Sequence, residues 1–272
     1  MKVFTMVKGE VDIVTDWVLY HGALFGFDNL FIIDNYSGDG TFETLLQLKQ
    51  KYNINITRLP NYKKKGEYMT ALLRTFGNKE LVFPLDIDEF IVYFDKHTNR
   101  IFCDKHVIMQ YIHSLPKLPF YKMNYINSKN FSDVGYTKAT IECNYGKYAD
   151  CGNHAKTFFH SDLFKGNIDH GNHYNQINNY VLTDLCLIHF YQRNLEQIRK
   201  KVYNNVKGLG YNPFDLNILK YLQNKGQTLP GYHHVAKQIL MIQRKFKLDV
   251  HAKEKDDVSL TPFNNLIMQL TG

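Results

Sequence analysis

Cysteine is scarce in this sequence: Cys103, Cys143, Cys151 and Cys186 are the only four in 272 residues. No two of them form a C-x-x-C pair, and four thiols are too few to staple a chain of this size, so a disulfide scaffold is excluded and a reducing compartment is expected. Long apolar runs are missing too. The opening MKVFTMVKGEVDIV meets charges before a signal-peptide core can form, and nothing approaches the ~18 apolar residues that cross a bilayer. The expected location is the cytoplasm, a host's if the gene is viral, with membrane contact at most peripheral. There is no internal repeat and no low-complexity tract, which excludes fibrous and disordered classes. A Gly-rich phosphate loop is also lacking, because Gly38-Asp39-Gly40 is too short to cradle a triphosphate and no G-x-x-x-x-G-K occurs.

What is present is the composition of a globular protein, 44% hydrophobic and 22% charged, at a length that one large core can still serve. The 33 Lys and Arg against 26 Asp and Glu give +7, a surface that attracts anions. The basic runs Lys63-Lys64-Lys65 and Arg199-Lys200-Lys201 are too short for a nucleic-acid arm, and no nucleic-acid partner is expected.

Apolar runs alternate with helical spacings through the first third of the chain. Residues 3–7 read as a buried strand, and Ile13, Val14, Trp17, Val18, His21, Leu24 and Phe25 follow at helical spacing up to Gly26. Residues 30–33 form a second strand that stops at Asp34 before a turn-rich segment, after which Thr41 is placed to cap a helix over 42–51. Residues 54–59, 66–76 and 81–85 complete a βαβαβαβ series. That series predicts a parallel sheet covered by helices, with ligands beyond the carboxyl ends of its strands. Later runs at 90–93, 120–125, 139–143, 157–159 and 181–190 predict a less regular mixed region, and Leu195, Ile198, Val202 and Val206 mark a helix. Two further helical stretches are expected at 214–222 and 234–246, with linkers at 224–232 and 249–261. The expected organisation is an α/β domain over 1–208 and a helical appendage over 209–272.

The strongest chemical signal is a set of strand-end carboxylates. Pro84-Leu85-Asp86-Ile87-Asp88-Glu89-Phe90 places three acids directly after a buried strand, where uncompensated charge is costly. Asp86 and Asp88 flank one residue, so in extended backbone both point to one side and can grip a hard divalent cation such as Mg²⁺ or Mn²⁺. A D-x-D tripeptide alone is common, and the bland reading pairs these acids with lysines or a helix end. Their place after a fourth strand favours the metal.

Met6-Val7-Lys8-Gly9-Glu10, Asp16-Trp17, Tyr20-His21, Gly26 and Ile33-Asp34-Asn35-Tyr36-Ser37-Gly38-Asp39-Gly40-Thr41, followed by Asp86-Ile87-Asp88-Glu89-Phe90, occur in the order found in GT-A glycosyltransferases. The chain resembles the family 92 and family-2-like group over residues 1–95, and more weakly to about 205. It departs from the pattern at Gly9, where Asn is usual, and at Asp16, where Glu is.

The resemblance implies a metal-dependent, inverting hexosyltransferase that takes its sugar from a nucleoside-diphosphate donor, a UDP-sugar being favoured, and acts on a glycan, glycoprotein or glycolipid. It places Lys8, Glu10, Asp34, Lys65, Asp86, Ile87, Lys156 and Arg193 at the donor and Asp86, Asp88 and His189 at a Mn²⁺ or Mg²⁺ ion. Asp34 suits ribose hydroxyls, Arg193 with Lys200 or Lys201 suits the leaving diphosphate, and Glu89 would pair with a lysine or orient the site. Inversion needs a general base; among Asp169, Glu142, Asp133 and Asp150 the choice is Asp169, which lies in the polar loop with His170 and His173. His154, His160, His170, His173 and Cys151 fit no common zinc spacing. The rival readings are a Mg²⁺-dependent nucleotidyl- or phosphoryl-transfer enzyme and a non-catalytic carbohydrate- or nucleic-acid-binding module.

Overall fold

The computed structural model describes residues 1–76, 80–129, 143–173, 180–191, 193–226, 232–248 and 251–272. The expected strand at 139–143 and the base candidates Asp133 and Glu142 fall wholly or mostly outside them. The first part follows the alternation: β1 (Lys2–Val7), α1 (Val14–Phe25), β2 (Leu30–Asp34), α2 (Thr41–Tyr52), β3 (Asn55–Arg58), α3 (Lys65–Thr75) and β4 (Leu81–Pro84). These strands pair in parallel in the order β3-β2-β1-β4, with Val7 opposite Asp34 and Asp34 opposite Arg58. Their carboxyl ends therefore share one edge.

β5 (Glu89–Asp95), β6 (Arg100–Phe102), β7 (Phe120–Ser128), β8 (Tyr145–Ala149), β9 (Lys156–His160) and β10 (Val181–His189) extend the sheet. It continues past β4 as β9-β7-β10-β5-β6. Here most pairings are antiparallel, β7 with β10 being parallel. One helix was not legible in the hydrophobic pattern: α4 (Lys105–Ser114) starts where Asp104 accepts hydrogen bonds from the amides of His106 (2.8 Å) and Val107 (3.1 Å). Thr41 opens α2 but does not cap it. Gly40 occupies the cap position, and the Thr41 hydroxyl instead bridges Asp39 and the Glu10 amide.

Side chains of β1 alternate between two cores. Val3 and Val7 face the larger one with α1, while Phe4 and Met6 join Ile33, Met69, Leu73 and Val82 on the α3 side. Helix α1 is buried on nearly every face, Trp17 and Tyr20 completely, because it lies between the sheet and the last helix, α8 (Thr261–Thr271). Phe263 of α8 packs 5.2 Å from Tyr20 and 5.0 Å from Phe90.

The α/β class and the helical carboxyl-terminal part are both present. Residues after 208 lie in two places, however. α6 (Leu216–Asn224) and α7 (Tyr232–Ile242) form a small core of their own with Val206 of α5 (Leu195–Gly208). The tail returns to the main body: β11 (Val258–Ser259) pairs with β8, and Val258, Leu260, Phe263 and Ile267 enter the main core.

Candidate functional site

A cavity of about 610 Å³ opens at the carboxyl ends of the parallel strands. Its sheet-side wall carries Lys8, Glu10, Asn35, Lys65, Asp86, Ile87, Asp88 and His189; Tyr62, His170 and His173 form one flank. The opposite wall is helical, with Lys201, Asn205 and Lys207 from α5 and His233, His234 and Lys237 from α7.

The Asp86-Ile87-Asp88 segment is a turn between β4 and β5 rather than extended backbone. Glu89 closes it: its amide donates to the Asp86 carbonyl (3.1 Å) and its carboxylate accepts from the Asp86 amide (2.7 Å). Because the chain turns, the two aspartates meet different cations, and the expected common grip is not the arrangement seen. Asp86 accepts from Lys65 and, at 2.9 Å, from Lys156. Burial opposes its charge, but the Lys156 and Lys65 ammoniums outweigh burial and hold the carboxyl well below the usual range. Lys156 is fully buried behind Asp86, reaches Glu89 at 3.0 Å and donates to the Gly171 carbonyl at 3.2 Å. Burial pushes the Glu89 carboxyl up to about 7 despite that partner.

Asp88 contacts Lys201 and lies 3.8 Å from His189 Nε2. Burial opposes its charge, yet Lys201 and His189 bring it down to about 2. Burial pushes His189 down to about 4, so its imidazole is neutral near pH 7 and able to act as a ligand. Among the described residues no three His, Cys, Asp or Glu side chains converge as a protein-only metal cage. A carboxylate and a neutral imidazole 3.8 Å apart on a cavity wall nevertheless suit a divalent ion that takes its other ligands from phosphate and water. Asp86 also lines the cavity, with both of its oxygens engaged by ammoniums.

Four of the expected site residues are absent from the cavity wall. Asp34 is wholly buried, with Arg58 Nε at 2.9 Å and the Ser37 amide at 3.2 Å. The cavity instead meets the next residue, Asn35, whose side chain accepts from Lys8 at 3.4 Å. Arg193 is buried against Glu10, with Asp12 at 2.8 Å, and so fastens the start of α5 to the loop after β1 rather than facing a diphosphate. Burial raises the Glu10 carboxyl against the pull of Arg193. Lys156 lies behind the wall, as described. Asp169 accepts from the His173 amide at 3.0 Å and so shapes the loop that carries His170 and His173. Of the two lysines expected near the diphosphate, Lys201 faces the cavity and Lys200 contacts Asp39.

Two glycines record close approaches that a single sequence does not reveal. Gly9 has φ +70°, and a Cβ there would lie 2.9 Å from Lys200 Cε and 3.3 Å from Asn204 Nδ2, so the loop after β1 runs close to α5. At Gly66 a Cβ would come within 2.3 Å of the Ile168 carbonyl, so α3 begins directly beneath the loop that carries His170 and His173. Sequence reasoning missed Tyr62, whose ring meets that of His170 edge-on at 4.6 Å, and the α7 histidines. His234 lies 3.0 Å from Asn205 through Nε2, and burial pushes its imidazole down to about 2. No motif announced them, because α7 reaches the cavity through tertiary packing alone.

No family model matches the chain, and no curated protein matches it. Among solved structures it is similar to S. aureus TarS 1–349 in complex with UDP-GlcNAc, at 11% identity over 90% of this chain and 72% of that one, TM-score 0.39. The corresponding complex with UDP gives 10% identity over 89% and 71%, TM-score 0.39. The 4-diphosphocytidyl-2C-methyl-D-erythritol synthase of Anaerococcus prevotii gives 12% identity over 67% and 85%, TM-score 0.36. None of these distant likenesses points to family 92.

Proposed function

We propose that this protein is a GT-A-type glycosyltransferase that moves a sugar from a nucleoside-diphosphate donor, a UDP-sugar first, to a hydroxyl acceptor. The observation that carries the reading is the pairing of Asp88 with neutral His189 in a lysine-rimmed cavity at the carboxyl ends of a parallel sheet. Asp88 and His189 would hold Mn²⁺ or Mg²⁺, which when bound neutralises diphosphate charge. Lys8, Lys201 and Lys207 add cationic groups around the same space and favour the departing nucleoside diphosphate as its charge develops. In this reading Asn35 and Lys8 meet the nucleoside, and buried Asp34 fixes the turn that follows through Arg58 and the Ser37 amide. Lys65 and Lys156 keep Asp86 ionised and fixed, so the turn holds its shape when the donor arrives.

Inversion would need a proton acceptor beside the incoming hydroxyl. In this reading Asp169 positions the loop, and the imidazoles of His170 and His173 face the acceptor. Burial pushes His173 down to about 4, so it is unprotonated near neutral pH.

The test is calorimetric titration of UDP- and GDP-sugars with and without Mn²⁺, on the native chain and on Asp88→Asn. Donor binding should require both the metal and Asp88, and turnover of Asp88→Asn should fall by about 10²-fold or more. No donor binding to the folded, metal-supplied protein would sink the proposal. Binding of nucleoside triphosphates with release of pyrophosphate would move the assignment to nucleotidyl transfer.

A further inference from the structure

The charge of the chain is unevenly placed. Between residues 195 and 248 there are ten Lys and Arg against two acids, Glu196 and Asp215. The whole chain has 33 against 26, so the remaining residues carry 23 against 24 and are slightly acidic. The entire positive excess lies on α5 to α7 and the segment that follows. Lys201, Lys207 and Lys237 of this set face the cavity. Lys220, Lys225, Arg244, Lys245 and Lys247 are exposed to solvent elsewhere.

Large apolar side chains are exposed in the same place. Phe214 is 71% exposed, Tyr221 62% and Ile218 43%. Ile218 and Tyr221 share one side of α6, about 100° around the helix from Leu219 and Leu222, which pack into the small core, and Phe214 precedes the helix with its ring 5.6 Å from that of Tyr203. Asp215, the one acid in this stretch, is used at the start of α6, where it accepts from the Asn217 and Ile218 amides, both at 3.0 Å. Lys225 sits over the Tyr221 ring at 5.0 Å, so an ammonium and an aromatic face are presented together. Scattered exposed apolar residues need no explanation, but two aromatics and an isoleucine set in the stretch that carries the chain's positive excess do.

We propose that the α6 face, with Phe214, Ile218 and Tyr221 as apolar anchors and Lys220 and Lys225 beside them, docks on an anionic lipid bilayer. Aromatic rings enter the headgroup–acyl boundary while the lysine ammoniums stay with the lipid phosphates, and a net acidic remainder is left facing away. The small core joins α6 to α7, and α7 lines the cavity, so the docked face backs directly onto the cavity's helical wall. Surface charge and exposure alone carry this docking, whatever reaction the cavity performs.

The test is flotation of the full chain with phosphatidylcholine vesicles, with and without about 30% phosphatidylglycerol. The native protein should float with the anionic vesicles, bind pure phosphatidylcholine about tenfold less, and lose binding as salt rises. Phe214→Ser with Tyr221→Ser, and separately Lys220→Glu with Lys225→Glu, should each weaken binding about tenfold. All four positions are exposed, so an unchanged melting temperature would show that these variants fold. Failure of the native chain to bind anionic vesicles at low salt would overturn the proposal, as would equal binding by both variants. Concentration-dependent self-association that the Phe214→Ser, Tyr221→Ser pair abolishes, without vesicle binding, would assign the face to a second copy instead.

Discussion

The two walls of the cavity are built on opposite electrostatic plans. On the sheet side charges are answered, most of them out of reach of solvent: Asp86 by Lys65 and Lys156, Glu10 by Arg193, Asp34 by Arg58. On the helical side Lys201, Lys207 and Lys237 stand among His233 and His234, which burial keeps neutral. The first plan gives a wall whose shape is set before any ligand binds, since a half-paired buried network is costly. The second gathers ammoniums around the cavity, Lys201 reaching across to Asp88, and gives that space a positive field.

That contrast can be broken first at Lys156. Lys156→Met would leave buried Glu89, and half-buried Asp86 beside it, with one ammonium fewer, and the folded state should lose about 3 kcal/mol in a urea titration. A loss below about 1 kcal/mol would show that the sheet wall is not held by its charges. Acid should reveal the neutral imidazoles. His21 is wholly buried between Phe25 and Phe90, and burial pushes it down to about 3. Its unfolded value is near 6.5, so the unfolded chain takes up the proton first. Stability should therefore be intact above about 6.5 and fall by about 1.4 kcal/mol per pH unit below it, on this residue's account. Glu89, raised to about 7, opposes that trend, so the measurement is the difference between the native protein and His21→Gln, which should show the shallower slope.

The helical wall should respond in affinity rather than stability. Lys207→Met, at an exposed position, is expected to leave the urea midpoint unchanged and to weaken donor binding about tenfold by calorimetry. Smallest of all should be Asp169→Asn. It keeps an oxygen for the His173 amide, so turnover should stay within about threefold of native, and a loss of about 10²-fold would restore Asp169 as the base.

The parallel half was legible because burial leaves a plain pattern: continuous apolar strands, helical spacing in α1, and acids at a strand end. The lysine partnership of Glu89 was also foreseeable, since a third buried acid needs a cation. What escaped was everything decided across long sequence distances. Lys156 reaches Asp86 from 70 residues away and Arg193 reaches Glu10 from 183, and no local spacing encodes either meeting. Asp34 and Arg193 have the right chemistry for a nucleotide, but each is claimed by an opposite charge inside the fold. The D-x-D turn misled for a geometric reason: an extended tripeptide aligns its outer side chains, and a turn held by Glu89 does not.

The return of the tail to the first helix sets the order in which this molecule can be made. Phe263 completes the packing around Tyr20 and Phe90, and Val258 and Leu260 close the same core, so these partners lie more than 160 residues apart in sequence. Until that tail docks, α1 presents an apolar flank to water. Folding is then a late, whole-chain event ruled by non-local contacts and slow to close, and a ribosome still holding the last segment holds an unfinished core.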